Sequence, residues 1–152
     1  MNAGPLLVEI GCRLHEVGLD AVLIGNAAAA LQGAPVTTVD FDFFFRKTPR
    51  NLTRLKARAR SLRATILRPY YPASDFYRVV RARATSIELG DVSIRVATLA
   101  DVIKSKRAAG RPRDLAVLEV LETALEEGIK PPRSARRSDV KVSSRAARAR
   151  VI

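Results

Sequence analysis

Three features of the chain predict an α/β (α+β) fold, a mixed β-sheet flanked by helices with a basic C-terminal tail. The short apolar run Ala21-Val22-Leu23-Ile24 is partly β-branched and passes through Gly25-Asn26 straight into the helix formers Ala27 to Gln32, so a strand feeds a helix. Val39-Asp40-Phe41-Asp42-Phe43-Phe44-Phe45 alternates acid and aromatic, the two-residue period of a strand. Ser86 to Val96 sets Ile87 and Leu89 against Val92, Ile94 and Val96 across Gly90-Asp91, a dipeptide suited to a tight primed turn. At 152 residues the chain suits one domain that can bury a core without disulfides.

Along the chain, Leu6, Leu7, Ile10 and Leu14 recur at helical spacing, which predicts an amphipathic helix over 5–17 with Pro5 in its first turn. Gly33 closes the helix of residues 27–32. Thr48-Pro49 and Asn51 mark the next helix start, and Leu52, Leu55, Ala59 and Leu62 form its apolar stripe. Its other face carries Arg50, Arg54, Lys56, Arg58 and Arg60, either a phosphate-attracting cluster or a solvated basic face. Residues 64–71 read as a strand that Pro69 confines to an edge or ends early, and residues 76–80 as a further short strand. Thr98 with Asp101 makes a capping box, Gly110 ends that helix, and residues 113–127 form a last helix with Leu115, Leu118, Leu121 and Leu125 inward. Gly128 stops it. Pro131-Pro132 then opens a Ser/Arg/Ala tail too polar to make a core and expected to be flexible, so the division is a folded unit over 1–128 and a tail over 129–152.

The acids on the strand carry the functional argument. Alternation puts Asp40 and Asp42 on one face, opposite Phe41, Phe43 and Phe45. Like charges this close resist joint burial unless something neutralises them, and a divalent cation does so. Mg2+, or Mn2+ in its place, prefers a few carboxylates plus substrate phosphates. A helix start at Gly25 and Asn26 offers free N–H groups to a phosphate, and Gly25 has no Cβ to hold one away. The other reading is that both acids line the solvated face of an amphipathic edge strand. Cys12 has no partner for an internal disulfide and reads as a buried structural thiol; His15 reads as a helix-surface or satisfied histidine rather than a general base.

Ile24-Gly25-Asn26 with Ala28 and Gly33, then Thr37-Thr38 before Asp40-Phe41-Asp42, resembles the minimal nucleotidyltransferases of the DNA polymerase beta superfamily. The similarity is to the bacterial branch that includes toxin-antitoxin and abortive-infection proteins. The segment from Leu99 to Leu115 looks like the one that closes this branch, and together the two stretches cover most of residues 1–127. Asn26 departs from the Gly or Ser usual there. The resemblance implies a nucleotidyltransferase fold, catalytic and metal-binding roles for Asp40 and Asp42, and nucleotide binding by Gly25, Asn26 and Lys106. A basic helix end offsetting its own dipole is the alternative for Lys106. The resemblance also implies a third acid as base, on a further strand. Arg78 to Thr85 holds none, and the nearby carboxylates are Asp75 and Glu88.

The formal charge of +12 is uneven: residues 129–152 hold eight Lys or Arg against one Asp, a net of +7, which leaves +5 for residues 1–128. Such a balance points to RNA, other nucleic acid, nucleotides or an acidic protein as partner, or serves solubility. No apolar stretch approaches a membrane span, so the expectation is a cytoplasmic protein without membrane contact. Three functions stay open. One is Mg2+- or Mn2+-dependent transfer of a nucleotidyl group from a nucleoside triphosphate to a hydroxyl of an RNA, protein or small molecule. The second is a catalytically degenerate member that binds nucleotide or a cognate toxin or antitoxin protein. The third is a basic nucleic-acid-binding module, which has few aromatics for stacking on bases.

Overall fold

A computed structural model describes residues 4–38, 40–59, 64–66, 74–128 and 148–151. Helix α1 (Gly4–Glu16) leads into strand β1 (Ala21–Ile24), helix α2 (Gly25–Leu31), strand β2 (Asp40–Phe45) and helix α3 (Pro49–Arg58). Strand β3 (Ala64–Ile66), helix α4 (Ser74–Arg83) and the hairpin β4 (Thr85–Leu89) and β5 (Val92–Val96) follow. Helices α5 (Leu99–Ala109), α6 (Pro112–Leu115) and α7 (Leu118–Glu126) precede a last strand, β6 (Arg148–Val151). The strands form one mixed sheet in the order β3-β6-β2-β1-β5-β4. β1 runs antiparallel to β2 and parallel to β5, β4 and β5 are antiparallel, and β6 is parallel to both β2 and β3.

The core follows from the patterns that predicted it. Leu7, Ile10 and Leu14 give α1 a buried stripe, and Gly11 lets it sit close on β5: a Cβ there would meet Ile94 Cδ1 at 3.0 Å. Val22 and Leu23 of β1, Phe41 and Phe43 of β2 and Val96 of β5 are fully buried at the sheet centre, each contributing roughly 1.5–3 kcal/mol of apolar burial. Ala27, Ala28 and Ala29 are buried too, their small side chains letting α2 lie flush on the sheet. The hairpin pairs Ile87 with Ile94 and Leu89 with Val92 as its alternation requires. Thr48 accepts the Asn51 N–H at the start of α3, and Thr98 accepts that of Asp101 at the start of α5. None of the described helices is long and apolar enough to cross a membrane.

Four expectations change. Residues 76–80 are helical, not a strand: Phe76 and Tyr77 with Val80 fall on one helical face that packs on the sheet, while Arg78 and Val79 point out. The last helical stretch is two helices, and Leu115 and Leu125 are 49% and 45% exposed rather than inward; Leu121 and Ala124 are the buried positions of α7. Cys12 is half-buried against the core rather than enclosed by it. The tail ends in a strand: Arg148-Ala149-Arg150-Val151 has the two-residue period that lets β6 enter the sheet between β3 and β2. Val39, Leu62, Pro69 and residues 129–147 lie outside the described residues.

Candidate functional site

β2 organises the site. Phe41 and Phe43 are sealed on one face, and Asp40 and Asp42 stand partly buried on the other. The acid-bearing face continues to Phe44, whose ring packs on Phe76 at 5.7 Å and Tyr77 at 5.5 Å, so α4 covers this face at the Phe44 end. Thr38 fixes the entry to the strand, its hydroxyl accepting the Asp40 N–H at 3.1 Å and donating to the Asp40 carbonyl at 2.8 Å.

Antiparallel pairing sets Asp42 opposite Ile24, the last residue of β1. That register brings the Asp42 carboxylate to the turn where β1 becomes α2. Gly25 adopts a φ of +72°, and a Cβ on it would stand 2.9 Å from Asp42 Oδ2. The residue is therefore glycine for two reasons, a left-handed backbone and the space its neighbour's carboxylate fills. Asn26 donates its amide to the Thr37 carbonyl at 3.4 Å, which ties the start of α2 to the segment entering β2. Its Oδ1 is buried and has no hydrogen-bond partner among the described residues. Gly25, Asn26 and Asp42 are thus neighbours, as their order in the chain predicted.

On its other side β2 pairs with β6, and the register sets Asp40 beside Arg148 and Asp42 beside Arg150. Equivalent positions on adjacent parallel strands share a face, so positions 148 and 150 fall on the acid-bearing face of the sheet. The sequence carried this signal: the acid–aromatic alternation of residues 40–43 is mirrored by the basic–apolar alternation of residues 148–151. Only pairing across more than a hundred residues sets the two patterns side by side.

The remaining expected residues are elsewhere. Lys106 is turned inward, its Nζ 3.1 Å from Asp114 Oδ1, with side chains 10% and 7% exposed. Burial alone would push the Asp114 carboxyl up, but hydrogen bonds from Arg111 and Lys106 outweigh it and hold the group below its ordinary value. Lys106 is thereby a partner of α6. Glu88 is exposed on β4, three strand spacings from β2, roughly 14 Å at the usual interval. Asp75 lies in the first turn of α4, and its side chain is outside the described residues. His15 is exposed on α1.

Two polar arrangements, one buried at Gln32 and one exposed at Asp20, escaped sequence reasoning. Gln32 donates to the carbonyls of Ala28 and Ala97 and accepts the Leu99 N–H, joining the end of α2 to the start of α5. Asp20 binds Arg81, with Arg95 at 3.4 Å, and its carbonyl accepts from the Tyr77 hydroxyl. Burial raises the Tyr77 hydroxyl pKa, and the Asp20 charge adds to the effect. No group of three or more His, Cys, Asp or Glu side chains with metal-binding geometry occurs among the described residues. Comparison with protein-family models, with curated proteins and with solved structures gives no significant match.

Proposed function

We propose that this chain is a nucleotidyltransferase-like protein of the DNA polymerase beta type that binds a nucleoside triphosphate with Mg2+ or Mn2+ at Asp40, Asp42 and the Gly25-Asn26 turn. The observation that carries this reading is the placement of the Asp42 carboxylate against Gly25, with Asp40 beside it on the same face of β2. The donor set fits the cation: two hard carboxylates suit an ion that takes one or two protein carboxylates and completes its shell with substrate phosphates. Such a cation, when bound, would offset charge developing on the α-phosphate and the departing pyrophosphate.

The chain's own residues divide the remaining work. Asp40 and Asp42 present oxygens from a strand whose aromatic face is locked in the core, so their backbone is held rigidly. Gly25, without a Cβ, leaves the Asp42 carboxylate room to stand against the turn. Lys106 takes no part in this proposal, since Asp114 neutralises it. The acceptor hydroxyl belongs to an RNA, a protein or a small molecule, and a toxin-antitoxin pair is one setting for such a protein.

A specific observation favours the degenerate form of this reading, in which nucleotide binds and transfer is slow or absent. Between Arg78 and Glu88, where the resemblance implies a further strand with a proton-accepting carboxylate, residues 78–83 belong to α4, and Glu88 stands on β4, three strands away from β2. Loss of a positioned base costs on the order of 100- to 10,000-fold in rate. The test is calorimetry with Mg2+ and each triphosphate, beside labelling of total RNA. Wild type should bind and Asp40→Asn with Asp42→Asn should not, while both unfold at similar temperature. Equal affinity in the two proteins removes the site. Vigorous Mg2+-dependent labelling, abolished by Asp40→Asn and unaffected by Asp75→Asn and Glu88→Gln, removes the degenerate form.

A further inference from the structure

Helices α5 and α7 share a groove of about 440 Å³. Arg107 of α5 meets Glu122 of α7 at 2.7 Å, and Lys104, one turn before Arg107, lines the groove together with Leu125 and Glu126, one turn after Glu122. The two helices therefore run antiparallel, and Lys104 stands level with Leu125 and Glu126. Lys104 and Glu126 are both exposed, and neither has an ion-pair partner among the described residues. Leu125 is 45% exposed, and the buried Ile103 lines the groove on the α5 side.

The signs of charge decide what fits there. On a chain of net +12, residues 118–128 carry four acids and no base, while the groove side of α5 carries Lys104 and Arg107. A nucleic acid drawn to α5 would meet the glutamates of α7; a surface with both signs in reverse order meets opposite charge throughout. The chain itself has that surface. A two-fold axis lying along the groove lays α5 of one copy over α7 of the other and leaves the level along the helices unchanged, so Lys104 of each copy faces Glu126 of the other. Leu125 of each comes over the Ile103 side of its counterpart. We infer that the α5–α7 groove is an isologous dimer interface, occupied by a second copy of this chain and registered by two Lys104–Glu126 contacts. Exposed pairs are individually weak, so the association is reversible and falls as salt rises.

The experiment is sedimentation equilibrium on the nuclease-treated full chain, with each variant first shown to be folded by circular dichroism. Wild type should dimerise at low salt and dissociate as salt is added. Lys104→Glu and Glu126→Lys should each weaken self-association more than about tenfold, because like charges then face each other at both contacts. Mixed in equal amounts, the two variants should associate again: the two reversed charges meet at one contact and the two native residues at the other. A wild type that stays monomeric up to about 1 mM overturns the interface. A dimer that survives both substitutions overturns it too, by placing the contact elsewhere. Loss in both variants without recovery in the mixture overturns the pairing of Lys104 with Glu126, and a wild-type dimer indifferent to salt overturns charge as its register.

Discussion

The Asp42 carboxylate fills the space in which a side chain on Gly25 would begin: Oδ2 is 2.9 Å from the position of a Cβ there, and Gly25 holds a φ of +72°. Substitution at Gly25 therefore meets two penalties that are separable. Gly25→Ala should lose about 1–2 kcal/mol from the left-handed backbone alone, with more from displacing the carboxylate. Removing the carboxylate relieves only the second part. A double-mutant cycle of Gly25→Ala with Asp42→Ala, read by denaturant unfolding, should show a coupling of at least about 0.5 kcal/mol. Strict additivity would show that Asp42 yields freely and does not define the turn.

Lys106 and Asp114 form a buried ion pair that Arg111 completes from the surface. Asp114→Asn should cost about 3 kcal/mol at neutral pH, because it leaves a buried ammonium without its counter-charge. The pH dependence has a definite sign. Asp114 titrates below its ordinary value in the folded chain, so its contribution is complete above about pH 4 and is lost as pH falls through the lower folded value. The stability gap between wild type and Asp114→Asn should stay level from pH 7 to about pH 4 and close below it. A gap that widens in acid would contradict the pairing.

Gln32 satisfies two carbonyls and one N–H at the junction of α2 and α5, with donor distances of 2.9 and 2.7 Å to Ala28 and Ala97. Gln32→Met keeps the volume and removes every one of these bonds. Each buried group left unsatisfied costs about 1–3 kcal/mol, so the variant should unfold several degrees below wild type. A thermal midpoint unchanged within a degree would mean that water replaces the amide there.

The charge of residues 129–147 is a separate matter from the strand that follows. Replacing Arg133, Arg136, Arg137 and Lys141 with Gln leaves the sequence of β6 intact and removes four charges. Binding to RNA or single-stranded DNA should weaken, and the slope of log K against log salt should flatten by roughly 0.7 for each phosphate that is no longer neutralised. An unchanged slope would assign these charges to solubility or to an acidic protein partner.

Local pattern determined much of this protein. The run Ala21–Ile24, the acid–aromatic alternation of β2, the hairpin about Gly90-Asp91 and the caps at Thr48, Thr98 and Gly110 all follow from periodicity and turn chemistry within a few residues, and each element forms where its pattern places it. The nearness of Gly25 and Asp42 was legible too, because a strand, a turn and a second strand in that order leave few ways to pack. Interactions across the chain decided the rest. Phe76, Tyr77 and Val80 suit a strand or a helix until the sheet offers Phe44 as a surface, and burial then selects the helix. Lys106 reads as a free basic residue until Asp114 meets it inside. Four residues at the end of a polar tail have too little apolar surface to specify a strand alone; a slot bordered by β2 and β3 supplies the backbone partners that make them one.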